Sequence, residues 1–500
     1  MISTQQKSRA NRVLAYELSS IAESMQENEL TFKKKIDEVH STHTFSAKNL
    51  VHYLTLRKHD IRNLQEALHR EGLTSLTSSE SHTLFQLQKA ITWLNPEFVS
   101  KHVPCTFDQA QKLLNQNTNN LFGEHNNEHL PHIMVTLDGT QAGNVRQMEN
   151  MLTAGMTIAR INCAHDTQAI WSRLIDTLKQ AMSQSGRACK IYMDLAGPKI
   201  RIKSIWRRGH LCEEVRLSEG DDLTVTTQEQ RPMLWNEQPD CILVVEPTAI
   251  LNAVKVNNRI YFDDGKFEGL ITHHAAHHFT LRISRISAKK PTLKSGKGMN
   301  VPDTELPIHA LTEEDKTHLP FVCQHADLIG FSFVGKPEEV TDLQNEINHN
   351  TTQSKPGIIL KIERLKAIQN LPALLLAAMR EQNAGVMIAR GDLAVEIGFE
   401  RLSEIQEEIL WICEAAHVPV IWATQVLENM NKTGFAIRSE ITDAATAGKA
   451  ECVMLNKGKF ITKAIITLVD ILNRQANHID KKRYTFRPLT IAQTFLTSPK

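Results

Sequence analysis

Eight short apolar runs, each closing on a polar or charged residue, recur between Ile133 and Lys457. They read IMVTL, IARIN, IYMDL, LIGFSF, IILKIE, VMIARGD, VIWATQ and VMLNK. Their ends carry Thr136, Arg160 with Asn162, Asp194, Ser332, Lys361 with Glu363, Arg390 with Asp392, Thr424 with Gln425, and Asn456 with Lys457. Segments with apolar spacing of three and four follow most of the runs, for example NVRQMENMLTAG, TQAIWSRLIDTLKQAMSQSG and LSEIQEEILWICEAAH. Strand and helix in alternation imply a parallel sheet. Eight such strands predict an α/β fold, a (β/α)8 barrel whose functional groups gather at the C-terminal strand ends.

Two stretches break this rhythm. Residues 1–130 hold three helix-period segments, LAYELSSIAESM, AKNLVHYLTLRKHDIRNLQEALHREG and SHTLFQLQKAITWL, and read as an N-terminal helical extension. Ser78, Ser79 and Ser81 are expected N-caps and Gly72 an expected C-cap. NQNTNNLFGEHNNEH (115–129) reads as a polar linker. The second break lies between the third and fourth runs, where a βαβ unit needs only about 30 residues and the chain spends 196–327. LTVTT, CILVVE, RIYFDDG, GLITHH and FTLRIS alternate in the strand manner there. The expected organisation is 1–130 helical, 131–203 with 299–477 barrel, 204–298 an inserted β-rich lid, and 478–500 a tail. A lid over the strand ends can shield chemistry from water.

Composition removes several classes. The net charge of +1 gives no global drive toward nucleic acid or anionic lipid. No apolar run nears the roughly 20 residues of a membrane span, and MISTQQKSRANR lacks a secretory apolar core. The eight cysteines form no C-x-x-C pair, so reduced thiols in the cytoplasm are expected.

The strand ends carry the chemistry. Glu363 and Asp392 close consecutive strands and could share one Mg2+ or Mn2+, which prefer oxygen ligands. Lys361 beside them could neutralise a transferring phosphoryl group, and Gly391 lets backbone amides approach an anion. Arg160 could clamp a phosphate bidentately. His165 is a lone loop histidine, a type most often merely solvated. Asp194 ends the third strand, and Lys199 and Arg201 alternate beyond the Gly197-Pro198 turn, suiting a phosphorylated substrate. Thr424 offers a hydroxyl for a carboxylate or a proton relay. Ser439 and Asp443 read as helix caps.

Motif by motif, these segments resemble the pyruvate kinase family. RINCAHD resembles its R-x-N-F-S-H-G and DLAGPKIR its D-T-K-G-P-E-I-R. IYFDDG, GKGMNVP and LPIHALTEED are similar to I-x-x-D-D-G, K-K-G-V-N-L-P and D-L-P-A-L-T-x-K-D. LKIER, VMIARGDLAVEI and VIWATQVLENM look like S-K-I-E-N, I-M-V-A-R-G-D-L-G-x-E and V-I-x-A-T-Q-M-L-E-S-M. The matches are collinear over about two thirds of the chain, residues 131–475.

The resemblance implies transfer of phosphate from phosphoenolpyruvate to ADP in glycolysis, giving pyruvate and ATP. It implies Mg2+ (or Mn2+) on Glu363 and Asp392, with Lys361 at the transferring group. Arg160, Gly391 and Thr424 would contact phosphoenolpyruvate, and Arg160, Lys361 and Thr424 would serve catalysis. His165, Arg201 and Lys297 would face nucleotide phosphates, and Asn162 and Asp194 match monovalent-cation ligands. Departures change part of that expectation. Ala164, Leu195 and Lys199 replace potassium-associated residues, Lys199 standing where potassium-dependent members have glutamate. A fixed ammonium could take the ion's place, so activity without potassium is expected. TLDGT replaces T-I-G-P, and MLNKGKF replaces M-L-S-G-E-T-A. The absence of the family's C-terminal effector domain predicts no sugar-phosphate activation there. No nucleic-acid or membrane partner is expected, and a homo-oligomer is permitted. Two other readings stay open: a non-catalytic phosphoenolpyruvate- or nucleotide-binding barrel acting through its helical extension, and a related barrel enzyme with different chemistry.

Overall fold

A computed structural model of the protein describes residues 4–476, apart from 101, 126–129, 230–238, 288–289 and 352–353, together with 479–480 and 483–484. Eight parallel strands close a barrel: β1 His132–Leu137, β2 Ile158–Asn162, β3 Lys190–Asp194, β4 Leu328–Phe331, β5 Gly357–Ile362, β6 Ala384–Ala389, β7 Val420–Ala423 and β8 Cys452–Leu455. Their order is sequential and β1 pairs with β8, so no edge remains. The eight runs are these strands. Five long helices follow the predicted segments, from Val145–Ala154 to Ile461–Ala476, and the segment after β5 splits into Leu365–Gln369 and Leu371–Ala378. A further one, Glu313–His325, precedes β4 and opens on a Thr312–Asp315 capping box.

An eight-stranded sheet, from Arg201–Arg207 through Met299–Asn300, forms the inserted β unit around its own apolar core of Ile205, Leu223, Phe262, Phe267 and Phe279. The expected tail falls almost wholly outside the described residues; within it, Ile479–Asp480 pairs with Arg483–Tyr484.

The N-terminal helices form a bundle with its own core (Leu18, Met25, Leu68, Leu87, Ile91), yet Ile36, Val39, Leu50, Val51 and Tyr53 pack into the barrel's outer core. Buried polar contacts fix that docking. Asn49 Nδ2 donates to Glu80 O and Ala415 O at 2.7 and 2.9 Å. His417 lies between Ser46 Oγ (3.0 Å) and Ser81 O (2.8 Å). Of the expected serine caps, Ser79 takes the N-cap position of the short turn Glu80–His82 but makes no side-chain cap, its Oγ donating to Leu76 O, while His82 is the N-cap of Thr83–Leu94. Gly72, at φ 74°, does close Arg62–Arg70, with Leu73 N donating to Leu68 O.

The first part of the expected linker, 115–122, is instead the end of a helix, Phe107–Phe122, started by a Thr106–Gln109 capping box; 126–129 lie outside the described residues. Ala110, Leu114, Asn117 and Leu121 line its buried face. Leu121 and Phe122 enter the barrel interior beside Met134, Ile158, Tyr192 and Ile359. Gly357 and Gly385 admit Leu121: a Cβ at either would stand 2.6 or 2.8 Å from its methyl groups. The barrel floor is thus plugged from outside the barrel sequence.

Candidate active site

A cavity of about 710 Å³ opens at the C-terminal strand ends, lined by loops from β1 through β8 and by the inserted β unit. Its inner wall is a chain of alternating charge. Arg160 Nε donates to Asp194 Oδ2 at 3.1 Å and Arg160 Nη1 to Thr136 Oγ1 at 2.9 Å. Lys361 Nζ lies 3.3 Å from Asp194 and 3.0 Å from Glu363 Oε1, and donates to Ser332 Oγ at 2.7 Å. Glu363 Oε2 accepts from Phe333 N at 2.6 Å. All four charged side chains are nearly inaccessible, the most exposed at 11%. Burial alone would neutralise such groups, yet for Arg160, Asp194 and Lys361 the pairing prevents it. Burial works against the Asp194 charge, but Lys361 and Arg160 hold its carboxyl below the usual range. Burial likewise opposes the Lys361 charge, and Asp194 and Glu363 hold its ammonium above its usual value.

Asp392 is the second acidic centre. The sequence placed it at a strand end; it lies in the first turn of the helix Arg390–Ile397, just past β6. Lys199 Nζ sits 2.9 and 3.1 Å from its two oxygens, and Asn300 Nδ2 donates to Oδ1 at 3.2 Å. Against burial, Lys199 holds Asp392 below the ordinary carboxylate value. Glu363 goes the other way: burial pushes it up, Lys361 opposes, and the negative charge of Asp392 pushes it further. Glu363, whose ionisation Asp392 makes costlier, and Asp392 together offer the oxygen donors that suit a hard cation. Among the described residues no three acidic, His or Cys side chains gather as a ligand set. A two-carboxylate site matches Mg2+, which retains several waters and takes substrate oxygens.

Strained turns complete the wall. Thr424 and Gln425 have φ of 76° and 62°, a region costly for a β-branched residue and concentrated at functional sites. A Cβ on Gly391 would lie 2.9 Å from Thr424 Cγ2, so glycine permits this approach. Arg390 turns away from the cavity: its guanidinium bonds Ala423 O at 2.8 Å and pairs with Asp443. Asp443 thereby orients Arg390 and caps nothing.

A scan of family models matches "Pyruvate kinase, barrel domain" to residues 130–465. The chain belongs to the pyruvate kinase family. Among curated proteins it is similar to the pyruvate kinase of Thermotoga maritima, 29% identical over 71% of this chain and 72% of that one. The pyruvate kinase of Thermococcus litoralis is 30% identical over 71% and 70%, and that of Encephalitozoon cuniculi 29% over 65% and 70%.

Among the family's motif positions, Asn162 Oδ1 accepts from Ala164 N at 3.1 Å. Lys199 forms its ion pairs with Asp392 and, at 3.7 Å, with Asp264 of the inserted unit; the charge of Asp194 is met by Arg160 and Lys361 instead. Gly298 admits Lys199, since a Cβ there would be 2.5 Å from Cε. His165, Arg201 and Lys297 line the cavity's outer part. Arg201 donates to Gly296 O at 3.3 Å, and Lys297 pairs with Asp263 at 2.8 Å. Burial, then Arg201 and Lys457, depress His165 below its ordinary value.

Sequence reasoning missed four positioning residues. Tyr192 sits inside the barrel and donates to Asp194 Oδ1 at 3.2 Å; Gly330 leaves it room, a Cβ there falling 2.0 Å from the hydroxyl oxygen. Asn300 braces Asp392. Asp315 accepts from Ala196 N and Gly197 N at 2.9 and 3.2 Å, fixing the exit toward Lys199. Asn431, 1% exposed, anchors the loop after β8. The glycine in LIGFSF was the one available signal, marking close approach.

Proposed function

We propose that this protein is a pyruvate kinase, moving the phosphoryl group of phosphoenolpyruvate to ADP and giving pyruvate and ATP. The observation that carries this reading is the buried alternation Arg160–Asp194–Lys361–Glu363 facing Lys199–Asp392 across one cavity. Phosphoryl transfer needs little covalent help from a protein; it needs positioning and charge neutralisation. Lys361, held cationic and rigid by Asp194, Glu363 and Ser332, would face the transferring group without reorganising during the reaction. Arg160, anchored through Nε to Asp194, would hold the phosphate. Gly391 and Thr424 would shape the seat of the carboxylate. Glu363 and Asp392 would hold Mg2+, which when bound supplies charge neutralisation between the two phosphates. His165, Arg201 and Lys297 would receive the nucleotide.

A fixed cation already meets Asp392, and two more meet Asp194. These pairs support activity without potassium, the charge of a monovalent ion being supplied by side chains. The test is pyruvate formation from phosphoenolpyruvate, ADP and Mg2+ at constant ionic strength, with and without KCl. Equal turnover in both is expected, with loss in Asp392→Ala. Turnover that persists in Asp392→Ala removes the metal assignment, and a strong rise with KCl removes potassium independence.

A further inference from the structure

The inserted β unit joins the barrel through two adjacent segments, 198–201 leaving and 298–301 returning. They are zipped together: Met299 N donates to Ile200 O and Ile202 N to Lys297 O, both at 2.9 Å. Against them lies a second pocket of about 250 Å³, which shares only Lys199 and Phe333 with the catalytic cavity. The two segments form one wall. The helix Leu365–Gln369 after β5 and Glu396, from the helix after β6, form the other.

The lining is apolar at Ile200, Val301, Leu306 and Leu365. Two polar atoms among these residues lack protein partners. Asn300 is 5% exposed; its Nδ2 serves Asp392, but its Oδ1 is buried with no hydrogen-bond partner among the described residues. Arg364 directs Nη2 to Phe333 O, and its Nε is buried and unpaired in the same sense. Burying such an atom unpaired costs about 1–3 kcal/mol. One unmet acceptor and one unmet donor on a single pocket suit a ligand that offers both. The charges narrow its kind. Glu396 and Glu305 disfavour an anion, and Arg364 and Lys366 disfavour a cation. A neutral group with one donor and one acceptor fits, and the apolar walls favour a flat ring attached to it.

We propose that this pocket binds a small neutral aromatic amide, and that the occupant, touching both connecting segments and the barrel helix, holds the inserted β unit at one angle. Hinges of this kind are a few residues at element ends, so a ligand wedged against them biases the position of everything beyond. The binding does not depend on the reaction proposed above.

Benzamide is the probe, with benzoate and toluene as its charged and apolar counterparts. Each is titrated by ligand-observed NMR against the full chain as wild type, Arg364→Met and Leu365→Trp. Benzamide is expected to bind with a Kd on the order of 1 mM, and benzoate and toluene about tenfold more weakly or less tightly still. Both substitutions are expected to weaken benzamide about tenfold, Arg364→Met by removing the donor and Leu365→Trp by filling the space. Amide hydrogen exchange at Ile202 and Met299 should slow when benzamide binds. No binding of benzamide, equal affinity for toluene or benzoate, or undiminished affinity in either folded variant would each overturn the site. Unaltered exchange at both amides would overturn the hold on the inserted unit.

Discussion

At the C-terminal strand ends, three acids (Asp194, Glu363, Asp392) and three bases (Arg160, Lys361, Lys199) pack in close pairs with little exposure to water. At the opposite end, His132, His417, Asn49 and Asn117 are buried as neutral donors and acceptors among Leu121, Phe122 and the docked helices. Burial pushes His132 and His417 down to about 4, so neither carries charge at neutral pH. Keeping ions away from water is expensive and is tolerated where geometry pairs them closely. Neutral hydrogen bonds close a floor without that penalty. The difference teaches which end serves chemistry and which serves integrity, as in barrels generally.

Removing Lys361 should give the largest effect. Lys361→Ala is expected to lower kcat by roughly 10²–10³-fold, read from steady-state pyruvate formation. A kcat within a few-fold of wild type would end the claim that the charged end is the reactive one. The floor should respond in stability alone. Leu121→Ala removes a plug that is 2% exposed and is expected to cost about 2–5 kcal/mol in urea unfolding, with kcat of the folded protein unchanged. Undisturbed stability would mean that the plug does not hold the barrel.

The smallest effect is a pH dependence seated in the floor. His417 titrates near 4 in the fold against 6.5 when free. As pH falls below about 6.5 the unfolded chain takes up the proton first. Stability from this residue is therefore complete above that value and declines until about pH 4, by at most about 3 kcal/mol. Its surroundings are Ser46, Ser81, Glu414, His82 and His43. The fall in melting temperature from pH 7 to 4.5 should be shallower in His417→Asn, which also tolerates the φ of 49° at this position. An unaltered slope would show that the neutral floor is not the acid-sensitive element.

Legibility followed the same division. The strand ends could be read because a period of alternating strands and helices puts chemistry at fixed places, and KIE and ARGD fell at the ends of consecutive strands. The plugging helix could not be read from apolar content. Its buried stripe at 110, 114, 117 and 121 contains an asparagine, and Asn-rich flanks mimic a linker. Asn117 is held in its buried place by donating to the carbonyl of His417, three hundred positions away. The Thr106-x-x-Gln109 capping box was the overlooked sign.

The order of strands, the inserted β unit and the identity of the acidic and basic groups were determined by the sequence, because periodicity and residue type are local properties. Partnership was decided by tertiary structure. Lys199 reaches Asp392 across 193 positions, Asn431 supports the loop of Lys457, and Leu121 fits where Gly357 and Gly385 omit side chains. Electrostatic pairing and close packing act through space over a few ångströms, and only closure of the barrel brings such distant residues within that range.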